Sequence, residues 1–139
     1  MPEVFADTAG WANFFVRTEP YHHQAVALVR QWRLKGNRIV TTNYVFTELV
    51  ALFYSPLRVS RSVVIRYIDA IKSAPYVETV HIDPTIDASA WALLKARQDK
   101  DWSLVDCSSF VIMQQRGITE ALTTDRHFEQ AGFIRLLSP

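Results

Sequence analysis

Four carboxylates of this 139-residue chain stand where a charge is expensive, and together they describe one kind of chemistry. Asp7 follows Val4, Phe5 and Ala6, and Asp125 follows Leu122, Thr123 and Thr124 in "LTTDRHF". Both therefore close apolar, strand-like runs. Glu48 is ringed by Val45, Phe46, Leu49, Val50, Leu52 and Phe53, which cover nearly every direction around a helix axis. Asp106 shares its segment with Leu104, Val105, Phe110, Val111, Ile112 and Met113. A buried carboxylate without a partner is costly and tends to take up a proton. Four of them in one place would repel unless a divalent cation neutralised them. Oxygen donors without histidine or cysteine suit Mg²⁺ or Mn²⁺ rather than zinc. Such a centre, with open coordination positions, can activate water and steady the charge that builds on a phosphoryl group.

Each acid also has a plainer use. Ser103 and Asp106 are spaced as S-x-x-D, close to a capping box, and an acid in a first helical turn is favoured by the helix dipole. Asp7 and Asp125 can each cap the helix that follows its strand. Glu48 resists this treatment, since no lysine or arginine lies three or four positions away on its helix. Capping explains the residues singly, whereas a metal site explains them together.

The elements that must position them alternate in type. Short apolar runs at 4–9, 38–42, 76–82, 120–124 and 133–137 read as strands. Segments 20–36, 43–54, 60–74, 84–98 and 103–117 carry helical spacing, with short helices after the first and fourth strands. Pro84 suits a helix start, and Gly36 and Gly117 suit helix stops. Alternation of this kind predicts an α/β fold with a mainly parallel central sheet. Sites in such sheets form beyond the carboxyl ends of the strands, where strand order reverses, and Asp7 and Asp125 occupy two such ends.

Composition narrows the class. With 49% hydrophobic and 12% aromatic residues the chain is globular, and a single domain over 1–139 is the expectation. No apolar run approaches the roughly 18 residues of a membrane-spanning helix. Cys107 is the only cysteine, so no intrachain disulfide can form, and a reducing cytoplasmic location is expected. The net charge is only +1, yet residues 17–72 hold nine basic against three acidic residues, a local excess of +6. A run of this kind is usually a set of solvated helix faces; its alternative use is to attract phosphates.

The motifs "VFADTAGW", "TTNYVFTELV", "DWSLVDCSSFVIM" and "LTTDRHFEQAGF" occur in order over essentially the whole chain, and the ordered set resembles the PIN-domain family, in particular VapC-type toxins of toxin–antitoxin pairs. The resemblance implies an α/β/α sandwich and a metal-dependent endoribonuclease with Mg²⁺ or Mn²⁺ as cofactor. It carries the acidic quartet onto Asp7, Glu48, Asp106 and Asp125, and a water- or carboxylate-orienting hydroxyl onto Thr123. It also implies an RNA substrate, a cognate antitoxin whose tail enters the groove, and a homodimer. Asp7, Asp106 and Asp125 are then metal ligands, and Glu48 binds the metal or orients its water.

Several conspicuous residues are assigned blander roles. Asp101 reads as a solvated loop acid, and His22 and His23 as surface residues without a matching ligand cluster. His127 and Arg126 read as helix-edge residues, Phe128, Trp11 and Phe14 as core, and Cys107 as packing. A non-catalytic RNA- or partner-binding protein is the competing reading. A haloacid dehalogenase-type phosphotransferase is disfavoured, because its second aspartate would fall at Ala9.

Overall fold

The computed structural model describes residues 2–139. Five strands, β1 (Glu3–Ala6), β2 (Arg38–Thr42), β3 (Val77–Val80), β4 (Glu120–Leu122) and β5 (Ile134–Arg135), alternate with seven helices. The helices are α1 (Thr8–Phe15), α2 (His22–Lys35), α3 (Asn43–Tyr54), α4 (Arg61–Ser73), α5 (Pro84–Ala96), α6 (Leu104–Arg116) and α7 (Arg126–Gln130). The sheet order is β3-β2-β1-β4-β5, and every neighbouring pair is parallel.

That order follows from the sequence pattern. Phe5, Ala6, Ile39, Val40, Ala121 and Leu122 are fully buried, as expected when helices cover both faces of a parallel sheet. The chain winds from β1 through β2 to β3, then crosses back to β4 and on to β5. Right-handed crossovers place α1–α4 over one face and α5–α7 over the other, giving three layers. The reversal falls between β1 and β4, where Phe5 pairs with Ala121 and Ala6 with Leu122.

Strand β2 spans its expected 38–42, whereas the other four strands are shorter than their apolar runs suggest. Thr8 and Ala9 belong to α1, because the Asp7 side chain accepts a hydrogen bond from the Gly10 amide and starts a helix there. Thr123 and Thr124 lie beyond β4, and Asp125 caps α7 by accepting from the His127 amide. The third and fifth strands are also shorter than expected, at 77–80 and 134–135. At β1 the capping side chain of Asp7 starts a helix where the sequence still reads as a strand. Helix α3, by contrast, runs over the expected 43–54, with the Thr42 hydroxyl accepting from the Val45 amide.

One close approach sets the depth of the switch point. A β-carbon on Gly10 would lie 1.9 Å from the Leu122 carbonyl oxygen, so only glycine lets α1 begin against β4. Behind it, Trp11 Nε1 donates to Thr41 Oγ1 (3.1 Å), which donates to the Ala6 carbonyl (2.9 Å). The buried polar atoms here are thereby satisfied, as burial requires.

Candidate metal centre

Asp7 follows the last residue of β1 and enters the gap between β1 and β4. One oxygen, Oδ1, accepts from the Gly10 amide at 2.8 Å. The other, Oδ2, accepts from the Thr123 hydroxyl at 2.7 Å, and that hydroxyl oxygen accepts from the Asp125 amide at 2.9 Å. Thr123 therefore ties the ends of β1 and β4 together through one buried side chain. Asp125 Oδ1 is held by the His127 amide at 2.9 Å.

Asp106 reaches the same place from α6. Its amide donates to Ser103 Oγ and its Oδ2 accepts from the Ser103 amide, both at 3.0 Å, so the capping box is fully formed. Glu48, half-buried on α3, accepts a short hydrogen bond from the Thr8 hydroxyl. Capping and convergence are thus compatible. The caps fix the orientation of the three aspartates, the Thr8 hydroxyl fixes that of Glu48, and further oxygen lone pairs stay open to the pocket.

Asp7, Glu48, Asp106 and Asp125 line one pocket of about 210 Å³ together with Thr8, Ala9 and Leu52. Among the described residues, no lysine or arginine forms an ion pair with any of the four. The basic group paired with them among the described residues is His127, whose Nδ1 lies 2.9 Å from Asp106 Oδ2 and 3.4 Å from Asp125 Oδ2. Asp106, Asp125 and His127 offer ligand atoms all within 4.8 Å of one another.

Burial raises the Asp7 pKa to about 7. The Thr123 and Gly10 hydrogen bonds oppose the rise, and the neighbouring Asp125 and Asp106 charges add to it. A divalent cation would remove that penalty. Four carboxylates and a hydroxyl, with the His127 ring at their edge, make an oxygen-rich donor set that suits Mg²⁺ or Mn²⁺.

Every residue singled out from the sequence for the site, Asp7, Glu48, Asp106, Asp125 and Thr123, arrives at this place. Two further contributors escape the sequence reading. The apolar pattern puts Thr8 in a strand, but as the first residue of α1 it points its hydroxyl at Glu48. The pattern puts His127 at a helix edge, yet its ring contacts two of the acids. The cap on Asp125 is the signal available for it, because the same turn folds residue 127 back over the capping carboxylate. Trp11, Phe128 and Cys107 are buried core, Phe14 is half-buried against it, and Asp101, His23 and Arg126 are exposed. His22 is half-buried and its Nδ1 contacts the Asn13 carbonyl, away from any ligand cluster.

Fold and site together define a class. The chain belongs to the PIN domain family, whose model matches residues 4–134. Within it, the chain is 28% identical over 133 residues to the 23S rRNA-specific endonuclease VapC20 of Mycobacterium tuberculosis, covering 96% of this chain and 97% of that protein. The crystal structure of M. tuberculosis VapC20, described as a sarcin–ricin loop cleaving toxin, superimposes with a TM-score of 0.83 at 26% identity, over 98% of this chain and 99% of that one. FitAcB from Neisseria gonorrhoeae shares the fold, with a TM-score of 0.64 at 15% identity over 96% of both chains.

Proposed function

We propose that this protein is a divalent-metal-dependent endoribonuclease, the toxin of a toxin–antitoxin pair. The observation that carries the reading is the meeting of four carboxylates at the sheet's switch point with no lysine or arginine among the described residues to neutralise them. Likeness to VapC20 over nearly the full length of both proteins makes ribosomal RNA the first substrate to test.

Asp7, Asp106 and Asp125 would hold Mg²⁺ or Mn²⁺. When bound, the cation supplies an acidified water and stabilises negative charge on the phosphoryl oxygens. The protein's own groups do the positioning. Thr123 fixes the Asp7 carboxylate and braces the Asp125 amide, and Thr8 aims Glu48 into the pocket. Glu48 orients the attacking water so that it approaches phosphorus in line with the departing 3′ oxygen. His127 holds Asp106 and Asp125 together, the partner role that carboxylate ligands generally require.

A cytoplasmic protein acting as a homodimer and silenced by a cognate antitoxin completes the reading. Its support is the likeness to VapC20, a toxin of known structure. No helix among the described residues is long and apolar enough to cross a membrane.

Incubation of ribosomal RNA and a panel of folded RNAs with Mg²⁺, Mn²⁺ or chelator, beside the Asp106→Asn variant, is the test. Site-specific cleavage only with metal and only by the unaltered protein is the expected result. Equal cleavage in chelator overturns the mechanism. Binding without cleavage under every condition favours the non-catalytic alternative.

A further inference from the structure

Of the basic residues in the segment 17–72, three stand apart in their surroundings. Arg58 and Arg61 line a hollow of about 470 Å³ between the end of α3 and the start of α4, with Tyr54, Ser55 and Ser60. Arg17 lines a second hollow of about 410 Å³ with Phe15, Thr18, His22 and Tyr67. The two adjoin, because Val59 contributes to both. Neither lining contains an acidic residue.

All three arginines are exposed, and among the described residues none forms an ion pair. Arg38, Arg97, Arg116 and Arg135 are each committed to a carboxylate, and Arg66 and Lys72, though also without an ion pair, line a hollow that includes Asp69. A cation needed only for solubility has no reason to gather with two others around adjoining concavities. A guanidinium left free at the wall of a polar hollow suits bidentate contact with phosphate.

Two helices connect this surface to the acidic pocket. On α1, Ala9 lines the pocket and Phe15 lines the second hollow, six residues or roughly 9 Å further along the axis. On α3, Leu52 lines the pocket and Tyr54 lines the first hollow. The Tyr54 ring, 70% exposed, offers a face on which a base can stack.

We infer that Arg17, Arg58 and Arg61 form a phosphate-binding track that holds the RNA strand on one side of the scissile bond. The inference rests on the nuclease reading and deepens it by naming which basic residues touch the substrate. The hydroxyls of Thr18, Ser55 and Ser60 supplement the guanidiniums as donors to the same backbone.

Binding of a fluorescently labelled single-stranded RNA, measured at several salt concentrations with EDTA present to silence cleavage, tests it. The variant combines Arg17→Gln, Arg58→Gly and Arg61→Gln. Glycine is chosen at position 58 because Arg58 has φ 54, a conformation glycine adopts freely. Each lost phosphate contact lowers the slope of log affinity against log salt by about 0.7, so the triple variant should lose about 2. A control with Arg30→Gln and Lys35→Gln, two exposed residues of α2, should keep the full slope.

Melting curves establish that the variants are folded. If the triple variant melts early, the three single variants, each expected to lose about 0.7, decide the matter in its place. An unchanged slope in the variants overturns the track, as does an equal loss in the control. If polyglutamate binding, measured in parallel, is lost in the triple variant with RNA binding intact, the track is overturned and the surface is assigned to an acidic polypeptide. Wild-type protein that cleaves RNA while the variant keeps its slope defeats the track alone. Wild-type protein that neither binds nor cleaves RNA defeats the nuclease reading as well.

Discussion

The two ends of the sheet treat carboxylates in opposite ways. Toward the amino ends of the strands, Glu3 and Glu78 are clasped by Arg116, with contacts of 2.8 Å to each, and Arg38 lies 3.7 Å from Glu78. At the carboxyl ends, Asp7, Glu48, Asp106 and Asp125 meet with only His127 as a basic neighbour among the described residues. The first arrangement is complete within the chain. Arg116 is held well above its ordinary pKa by the two glutamates, and Glu3 is held below its own chiefly by Arg116. The second arrangement has a deficit of positive charge. On the proposed reading, the difference separates an acid that supports the fold from one that would take a cation.

The contrast breaks most sharply at Asp106. Asp106→Asn should lower kcat by about a thousand-fold or more, a barrier increase of ~4 kcal/mol. The amide keeps the capping geometry, so the metal-free protein should melt no lower than the unaltered one. A calorimetric scan beside the cleavage assay checks both halves, and a large drop in melting temperature would make Asp106 a fold residue.

Thr123→Val comes next. It removes the donor to Asp7 and the acceptor for the Asp125 amide while keeping the shape. Loss of a supporting partner of this kind typically costs about 10–100-fold in metal affinity or activity. Because the Thr123 hydrogen bond holds the Asp7 pKa down, the pH–rate profile should also shift to the alkaline side. A lower rate with an unmoved profile would deny the hydroxyl its assigned task.

The third test is pH. The unfolded chain releases the Asp7 proton near its ordinary value of 3.8, whereas the folded, metal-free protein keeps it until about pH 7. The folded state therefore binds more protons across that window, and the Asp7 contribution to stability falls as pH rises, by about 4 kcal/mol at most. Divalent metal should reverse the trend, raising the melting temperature more at about pH 8 than at about pH 5.5 because binding must displace that proton. An equal metal-induced shift at both pH values would detach Asp7 from the cation.

The smallest effect belongs to the opposite end. Arg116→Met should cost about 1–2 kcal/mol, since the clasp is partly exposed, and should leave turnover per folded molecule unchanged. Denaturant midpoints together with active-site-normalised rates measure this. A loss of turnover there would show that the two ends are coupled.

Much of this division is legible in the chain because it rests on local rules. Glu48 announces itself through the apolar residues around it, and Asp7 and Asp125 through the strands they close. Helix α3 matches its expected limits because Thr42 caps one end and the chain turns away at Pro56 after the other. Strand ends are less legible. In "VFADTA" the apolar character continues past the residue whose side chain starts the helix, and composition alone cannot locate a cap. Thr8 and His127 stay hidden for a related reason. Each acts on a carboxylate from another element, Glu48 on α3 and Asp106 on α6, so its role depends on tertiary packing. The same limit conceals which of the nine basic residues are already paired: Arg38 meets Glu78 only once β2 and β3 lie side by side.

The clearance at position 10 has a consequence for how the protein tolerates change. With a β-carbon there, α1 would have to retreat from β4, carrying Asp7 away from Thr123 and widening the cradle without altering any of its four acids. A residue that contributes no functional group would thus be as unforgiving in a mutational screen as the proposed ligands themselves. An intact acidic quartet is consequently insufficient to mark a sequence variant as active, and the atom missing at Gly10 belongs in the same diagnosis.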